Sequence, residues 1–168
     1  TYPEVFRNEQ VRVLENEDAF PRAWLVHYAR QADDAEALQW LSTETIDPRQ
    51  TVLLPVPPPA VQTPPAQATE SVVITGYDDD RVRLTVNAAS AGVVVLSDTY
   101  DPGWKVYVDG ERVELYRANV AFRGVAVPAG THEVEFRYDP TMLRVGMAIS
   151  WLTILILIGT VGEPCFTG

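Results

Sequence analysis

Between residues 71 and 138 the chain alternates apolar and polar residues in seven short runs: SVVITGY, RVRLTVNA, GVVVLSD, WKVYVDG, ERVELY, AFRGVAV and HEVEFRY. Successive side chains of a strand point to opposite faces, so each run fits a strand, and turn residues separate them. Seven short strands at near-regular spacing predict an antiparallel sandwich or barrel. In the last run Val134, Phe136 and Tyr138 point one way while Glu133, Glu135 and Arg137 point the other. That division is expected of an antiparallel sheet with one packed face and one in water. Asp109-Gly110 fits a two-residue hairpin, because glycine tolerates the positive φ of a type I′ turn, and Pro128-Ala129-Gly130 marks a second turn.

Upstream, VRVLE and AWLVHYA read as strands joined by ENEDAFPR, with Trp24, Val26 and Tyr28 on one face and Leu25 and His27 on the other. Asp33-Asp34 offers capping carboxylates for a short helix, ADDAEALQWLS, whose Ala37, Leu38 and Leu41 are spaced to share a side. TVLLP reads as a further strand. From Pro55 to Thr69 the sequence holds six prolines and no charge. Proline fixes φ and lacks an N–H, so this stretch should be an extended linker or a strap laid over the domain.

The sequence FRYDPTMLR gives way to an uncharged run, VGMAISWLTILILIGTVG, from Val145 to Gly162. As a helix it would span about 27 Å at 1.5 Å per residue, against roughly 30 Å for the hydrocarbon core of a bilayer. It has no polar face, and a helix apolar all round needs lipid or the interior of a large protein. The expected fold class is therefore mainly β: an antiparallel, jelly-roll-like β-sandwich with one short helix, followed by a C-terminal transmembrane helix. The expected organisation is residues 1–54 joining the β-domain, a Pro-rich segment over 55–70, the sandwich over 71–140, the transmembrane helix over 141–163 and a truncated tail over 164–168. The start at Thr1 and the tail GEPCFTG both read as those of a fragment.

Twenty-three acidic residues against thirteen basic ones give a net charge of −10, and the basic set includes one lysine, Lys105. Nucleic acid is not expected as a partner, because gripping a phosphate backbone depends on clustered Lys and Arg. Net charge also disfavours anionic lipid surfaces. Cys165, the one cysteine, permits neither an internal disulfide nor a Cys-based metal site. His27 and His132 have no Cys, His or carboxylate at metal-ligand spacing, so no metal is expected. Asp78-Asp79-Asp80 lacks the longer alternation of a calcium loop and fits a solvated hairpin turn. No nucleophile elbow, phosphate loop or cysteine nucleophile is present, and neither a catalytic residue nor a cofactor is assigned.

The segment from Ser97 to Lys105 concentrates chemistry on one loop. Asp98, Tyr100, Trp104 and Lys105 are the candidate glycan-binding residues, since sugar sites combine an aromatic face with polar groups for the hydroxyls. The alternative is that Trp104 begins a strand and fills the core, with Pro102-Gly103 only turning the chain. Both readings stand at this point.

The block YDPGWKVYVDGERVELYRANVAFRGVAVPAGTHEVEFRYDP, followed by a glycine and an apolar helix, resembles the C-terminal part of the YfhO family of bacterial multi-pass membrane proteins. VLENEDAFPRAWLV is similar to an upstream segment of the same family, so the resemblance covers most of residues 11 to 152. It rests on PGW, VDG, the triplet Arg117-Ala118-Asn119, PAGTH and F-x-Y-x-P occurring in order. It departs at Asp101, where the family tends to have an aromatic residue or proline.

The resemblance implies an architecture like that of glycosyltransferases using polyprenyl-phosphate-linked sugars, with this β-rich part outside the cytoplasm. It also implies a catalytic acid in an early loop that this chain does not contain. The expected function is thus an accessory one within a membrane glycosyltransferase that modifies cell-envelope polymers, positioning the acceptor or bracing the membrane part. Expected partners are the remainder of the multi-pass protein, the lipid bilayer, and an envelope glycan or polyprenyl-phosphate sugar. The rival reading is a membrane-tethered carbohydrate-binding or adhesion module with no catalysis.

Overall fold

The computed structural model of the protein describes residues 2–16 and 18–161. Strands β1 (Glu4–Arg7) and β2 (Arg12–Leu14) pair as an exposed antiparallel hairpin. The elements that follow are β3 (Ala23–Val26), β4 (Tyr28–Gln31), α1 (Asp34–Ser42), β5 (Thr51–Leu54), β6 (Ser71–Tyr77), β7 (Arg81–Ala88) and β8 (Gly92–Thr99). After them come β9 (Trp104–Val108), β10 (Glu111–Val113), β11 (Tyr116–Ala118), β12 (Phe122–Val127), β13 (Gly130–Tyr138) and α2 (Thr141–Val161).

The protein is mainly β. A five-stranded sheet, ordered β10-β9-β13-β7-β6, faces a four-stranded one, ordered β11-β12-β8-β3, and every pairing within both is antiparallel. Alternate residues of each sheet interdigitate between them. Val82, Leu84, Val86, Val106, Val134 and Phe136 come from the first sheet and Val94, Leu96, Val125 and Val127 from the second. Burying each such side chain contributes about 1.5–3 kcal/mol, which pins the register, since a one-residue slip would turn every one of them outward.

The four-stranded sheet is covered on its other face as well. There β4 and β5 pair in parallel, connected by α1, and Val52 and Leu54 of β5 pack against Trp24, Val26, Val93 and Val95. This second layer explains why β8 reads GVVVL rather than alternating: a strand buried on both faces is apolar at every position.

Segment 117–120 locks that layer down. Arg117 makes a bidentate ion pair with Asp34 at the start of α1, at 2.9 and 2.7 Å. The Asn119 side-chain oxygen accepts from the Leu53 N–H at 2.9 Å, and the Asn119 backbone N–H donates to Leu53 O. Asn119 and Val120 both adopt left-handed backbone, with φ of 48° and 72°, a conformation costly for a β-branched valine. Residues 55–70 form neither strand nor helix and lie on the same side. Val61 packs on the second core, the Gln62 N–H donates to Ala91 O at 2.8 Å, and Ser90 Oγ donates to Gln62 O at 2.6 Å.

Several sequence expectations are corrected. AWLVHYA is two strands rather than one, because the chain bends at His27 and leaves the sandwich to pair with β5. Tyr28 is consequently exposed instead of sharing a buried face with Trp24 and Val26. Helix α1 begins at an Asp33 capping box closed by Glu36, but it buries Ala37 with Trp40 and Leu41, leaving Leu38 56% exposed. Positions 37, 40 and 41 form one helical stripe, and 38 lies beside it. ERVELY divides because the chain crosses between sheets at Glu114-Leu115. Tyr138 is half-exposed at the edge of the core.

Two residues separate β13 from α2. The described side chains of α2 from Val145 to Gly159 are all exposed. Among the described residues no helix is long and apolar enough to cross a membrane, so the transmembrane helix expected over 141–163 is not shown. Residues 162–168, with Cys165 and the tail, lie outside the described residues.

Candidate functional site

Strand β8 delivers the chain into a tight turn, Tyr100 to Gly103, that feeds β9 at Trp104. Asp101 organises the turn: its Oδ1 accepts from the Gly103 N–H at 2.7 Å and its carbonyl from the Trp104 N–H at 3.1 Å. Lys105 Nζ donates to Pro102 O at 3.1 Å. Gly103 is required by close approach, since a Cβ there would stand 2.7 Å from Tyr138 Cε2 and 2.8 Å from Asp101 Oδ1.

Three of the four candidate residues meet in one place. Tyr100, Trp104 and Lys105, with Pro102, Arg112 and Glu114, line an open cleft of about 260 Å³ between the turn and the β10–β11 connection. Asp98 lies elsewhere. It has the same strand phase as Val94 and Leu96 and therefore points into the sandwich, where it is 7% exposed.

Asp98 is the buried centre of an ionic and aromatic cluster at the end of the sandwich nearest α2. Arg22 Nη2 reaches its Oδ1 at 2.6 Å, the Tyr77 hydroxyl donates to Oδ2 at 3.0 Å, and Arg123 Nη1 stands 3.8 Å from Oδ2. Arg22 also donates to the Tyr77 hydroxyl. The buried Arg123 donates from Nε to Thr99 O at 3.0 Å, and its Nη1 has no hydrogen-bond partner. Burial pushes the Arg123 pKa down, against the pull of Asp98, whereas the hydrogen bond to Tyr77 and the charge of Asp98 raise that of Arg22.

The Arg123 guanidinium lies over the Trp104 ring, 3.6 Å from its centroid, and Tyr138 packs against Trp104 at 5.3 Å with a 51° tilt. Trp104 also packs on the inter-sheet core. Its ring is thus engaged from within the protein, and only part of it borders the cleft.

Arg22, Tyr77 and Arg123 were absent from the sequence candidates. Arg123 had a legible signal, because it shares the phase of Val125 and Val127 and so places a charge on the packed face of its strand. Tyr77 had none: the phase of Val72 and Ile74 would send it outward, but a bulge between Ile74 and Gly76 sets Tyr77 opposite Val82 and brings its hydroxyl to Asp98, while the ring stays half-exposed. Arg22 arrives through tertiary contact alone.

The histidines also gain partners invisible in local spacing. His27 Nε2 lies 2.9 Å from Glu70 Oε2 and its Nδ1 3.2 Å from Ala91 O, which ties the Pro-rich segment to the sandwich. His132 Nδ1 lies 2.6 Å from Asp109 Oδ2. That contact, with the Glu133 N–H, holds the Asp109 carboxyl below its usual pKa. Among the described residues no group of three or more His, Cys, Asp or Glu is placed to hold a metal ion.

Comparison with known proteins connects this geometry to a family. The chain is 21% identical over 90 residues to an uncharacterized protein YfhO of Bacillus subtilis (strain 168), a match that takes in 54% of this chain and 10% of that protein. The chain thus spans about a tenth of the length of that relative. No solved structure matches. The family model described as bacterial membrane protein YfhO matches residues 52–150, which run from β5 through both sheets into α2. The match covers more than half of the chain, and the chain belongs to the YfhO family of bacterial membrane proteins.

Proposed function

We propose that the chain is the extracytoplasmic β-domain and following membrane helix of a multi-pass YfhO-family glycosyltransferase that modifies cell-envelope polymers. The sandwich braces the membrane part or positions the acceptor, and the chemistry lies in other parts of the parent protein. The observation that carries this reading is α2. Its apolar side chains, among them Ile149, Trp151, Leu152, Leu155 and Ile158, are exposed on all sides, a state that lipid or neighbouring helices would relieve. Ser150 and Thr153 donate their hydroxyl protons to the carbonyls of Gly146 and Ile149, at 2.9 Å each, so neither needs water. Any sugar contact is assigned to the cleft beside Tyr100, Lys105 and Arg112. The face of Trp104 is a poor platform because Arg123 already occupies it, which weakens the rival reading of a tethered glycan-binding module.

Placement is tested in the full-length parent carrying Cys165→Ser and Asp79→Cys, the latter on the exposed β6–β7 turn. A membrane-impermeant maleimide should label intact cells. Labelling only after lysis would refute the extracytoplasmic placement. A strain lacking the gene should lose an envelope sugar that the parent restores, and an unchanged sugar composition would refute the transferase role.

A further inference from the structure

The net charge of −10 conceals a basic face. On the outward side of the five-stranded sheet, Arg137 stands opposite Arg81 on one neighbouring strand and Lys105 on the other. These form a row of three cations across β7, β13 and β9. One pleat further from α2, Glu135 stands opposite Arg83 and Tyr107, and Tyr107 opposite Arg112. Five cationic side chains thus share a patch with one carboxylate. The Glu135 side chain is 19% exposed and lies beneath Arg81, Arg83 and Arg137, which are 40 to 47% exposed.

Glu135 Oε1 is 3.3 Å from Arg81 Nε and 3.4 Å from Arg83 Nε, while Arg137 holds the other oxygen and lies 4.6 Å over the Tyr107 ring. One carboxylate cannot neutralise three guanidiniums. It instead fixes their positions, and five N–H donors on each leave several aimed at solvent. The next pleat turns acidic, with Glu133 beside Asp109. The face is therefore polarised along the strands, with its positive end toward α2.

We propose that this basic face docks on the phosphate headgroups of the anionic lipids surrounding α2, which rests on the reading of α2 as a membrane helix. Arg137 precedes the first residue of α2 by four positions, about 13 Å of extended chain. With the sheet face tilted toward the bilayer, guanidinium groups this close to the start of α2 can reach a headgroup layer. The acidic turn Asp78 to Asp80 sits at one corner of the same end, so the contact is made by the sheet face and not by the strand tips. Electrostatic attraction of this kind acts within about 8 Å at physiological salt, and loss of one Lys or Arg near an anionic surface weakens binding about fivefold.

The test uses the full chain with Cys165→Ser and Val73→Cys, the latter an exposed position on the same face, labelled with a fluorophore. The chain is mixed with phosphatidylcholine vesicles carrying a headgroup spin label, with and without phosphatidylglycerol. Flotation with neutral vesicles reports α2, and quenching of the label reports the face. Quenching should rise severalfold with phosphatidylglycerol, fall back in high salt, and be lost in Arg81→Gln/Arg83→Gln/Arg137→Gln.

Lys105→Gln/Arg112→Gln, which leaves the Glu135 network intact, should reduce quenching partway, and lysine at the three arginine positions should restore most of it. Flotation without a phosphatidylglycerol effect on quenching would overturn the face proposal and leave the membrane reading standing. No flotation would overturn both. A response to soluble polyphosphate in detergent without one to phosphatidylglycerol would assign the face to a soluble polyanion and overturn the lipid assignment.

Discussion

Removal of Asp98 should cost far more than removal of its buried partner Arg123, and the two losses should not add. In Asp98→Ala the guanidinium of Arg123 stays inside the sandwich with only the Thr99 carbonyl at 3.0 Å and the face of Trp104. Breaking a buried pair from one side costs about 3–5 kcal/mol. In Arg123→Met, Asp98 keeps Arg22 at 2.6 Å and the Tyr77 hydroxyl at 3.0 Å. The losses there are one hydrogen bond, about 1 kcal/mol, and the contact with the Trp104 ring, about 0.5–2 kcal/mol. They are offset by relief of the unpartnered Nη1 and by the methionine stem filling the space, so a net cost of about 1–2 kcal/mol is expected.

Once Arg123 is gone, Asp98→Ala strands only Arg22, whose side chain is 55% exposed and hydrates. The double variant should therefore lose about 2–3 kcal/mol, well under the sum of the single losses. Urea unfolding of the full chain in mild detergent, followed by tryptophan fluorescence, measures all three variants. Additivity to within about 0.5 kcal/mol, or Arg123→Met being the costlier single change, would refute this account of the cluster.

Gly103→Ala should lower the melting temperature by the equivalent of about 1–3 kcal/mol, because its Cβ would strike Tyr138 and Asp101. Adding Tyr138→Ala should recover part of that loss in a thermal melt. Asp33→Ala opens the capping box of α1 and should cost about 1 kcal/mol, read by urea unfolding, while Leu38→Ala on the exposed side should be close to neutral. The Glu135 carboxyl is held below its usual range, chiefly by its hydrogen bond from Arg137 and also by the charges of Arg137, Arg81 and Arg83. A folded-state pKa below the unfolded one, about 4.3, adds stability above that pH and loses it as pH falls through the folded value. Glu135→Gln should therefore melt lower than wild type near neutral pH and show a flatter acid limb in melts from neutral to acid; parallel curves would refute the assignment.

Alternation was informative wherever one face of a strand is packed and the other wet, which is why β6 and β7 begin and end where the sequence places them. The Asp109-Gly110 hairpin was equally legible, since both residues take the positive φ, 52° and 83°, that a type I′ turn demands. What escaped was set by contacts distant in sequence. The bend at His27 depends on Glu70 and Ala91, and the reach of the Tyr77 hydroxyl to Asp98 on a bulge. The triplet Arg117-Ala118-Asn119 clamps α1 and β5 to the sandwich, a role that no local pattern states. Of the candidate site, the grouping of Tyr100, Trp104 and Lys105 followed from their nearness along one turn. The separation of Asp98 followed from its strand phase, and a total of charges could not show where on the surface the cations gather.

The junction between sandwich and helix has a mechanical meaning. Asp139 donates its N–H to Gly103 O at 2.8 Å, and the Tyr138 N–H donates to Asp80 O at 2.8 Å, so the last turn of extended chain is pinned on both sides before α2 starts. Pro140 next fixes its own φ, so the junction leaves few torsions through which the helix could move independently of the β-domain. Strand β13, nine residues long, extends about 30 Å from that pivot. A tilt of α2 by about ten degrees would sweep the far rim of the sandwich through about 5 Å, so helix motion in the parent protein would be converted into displacement at the surface.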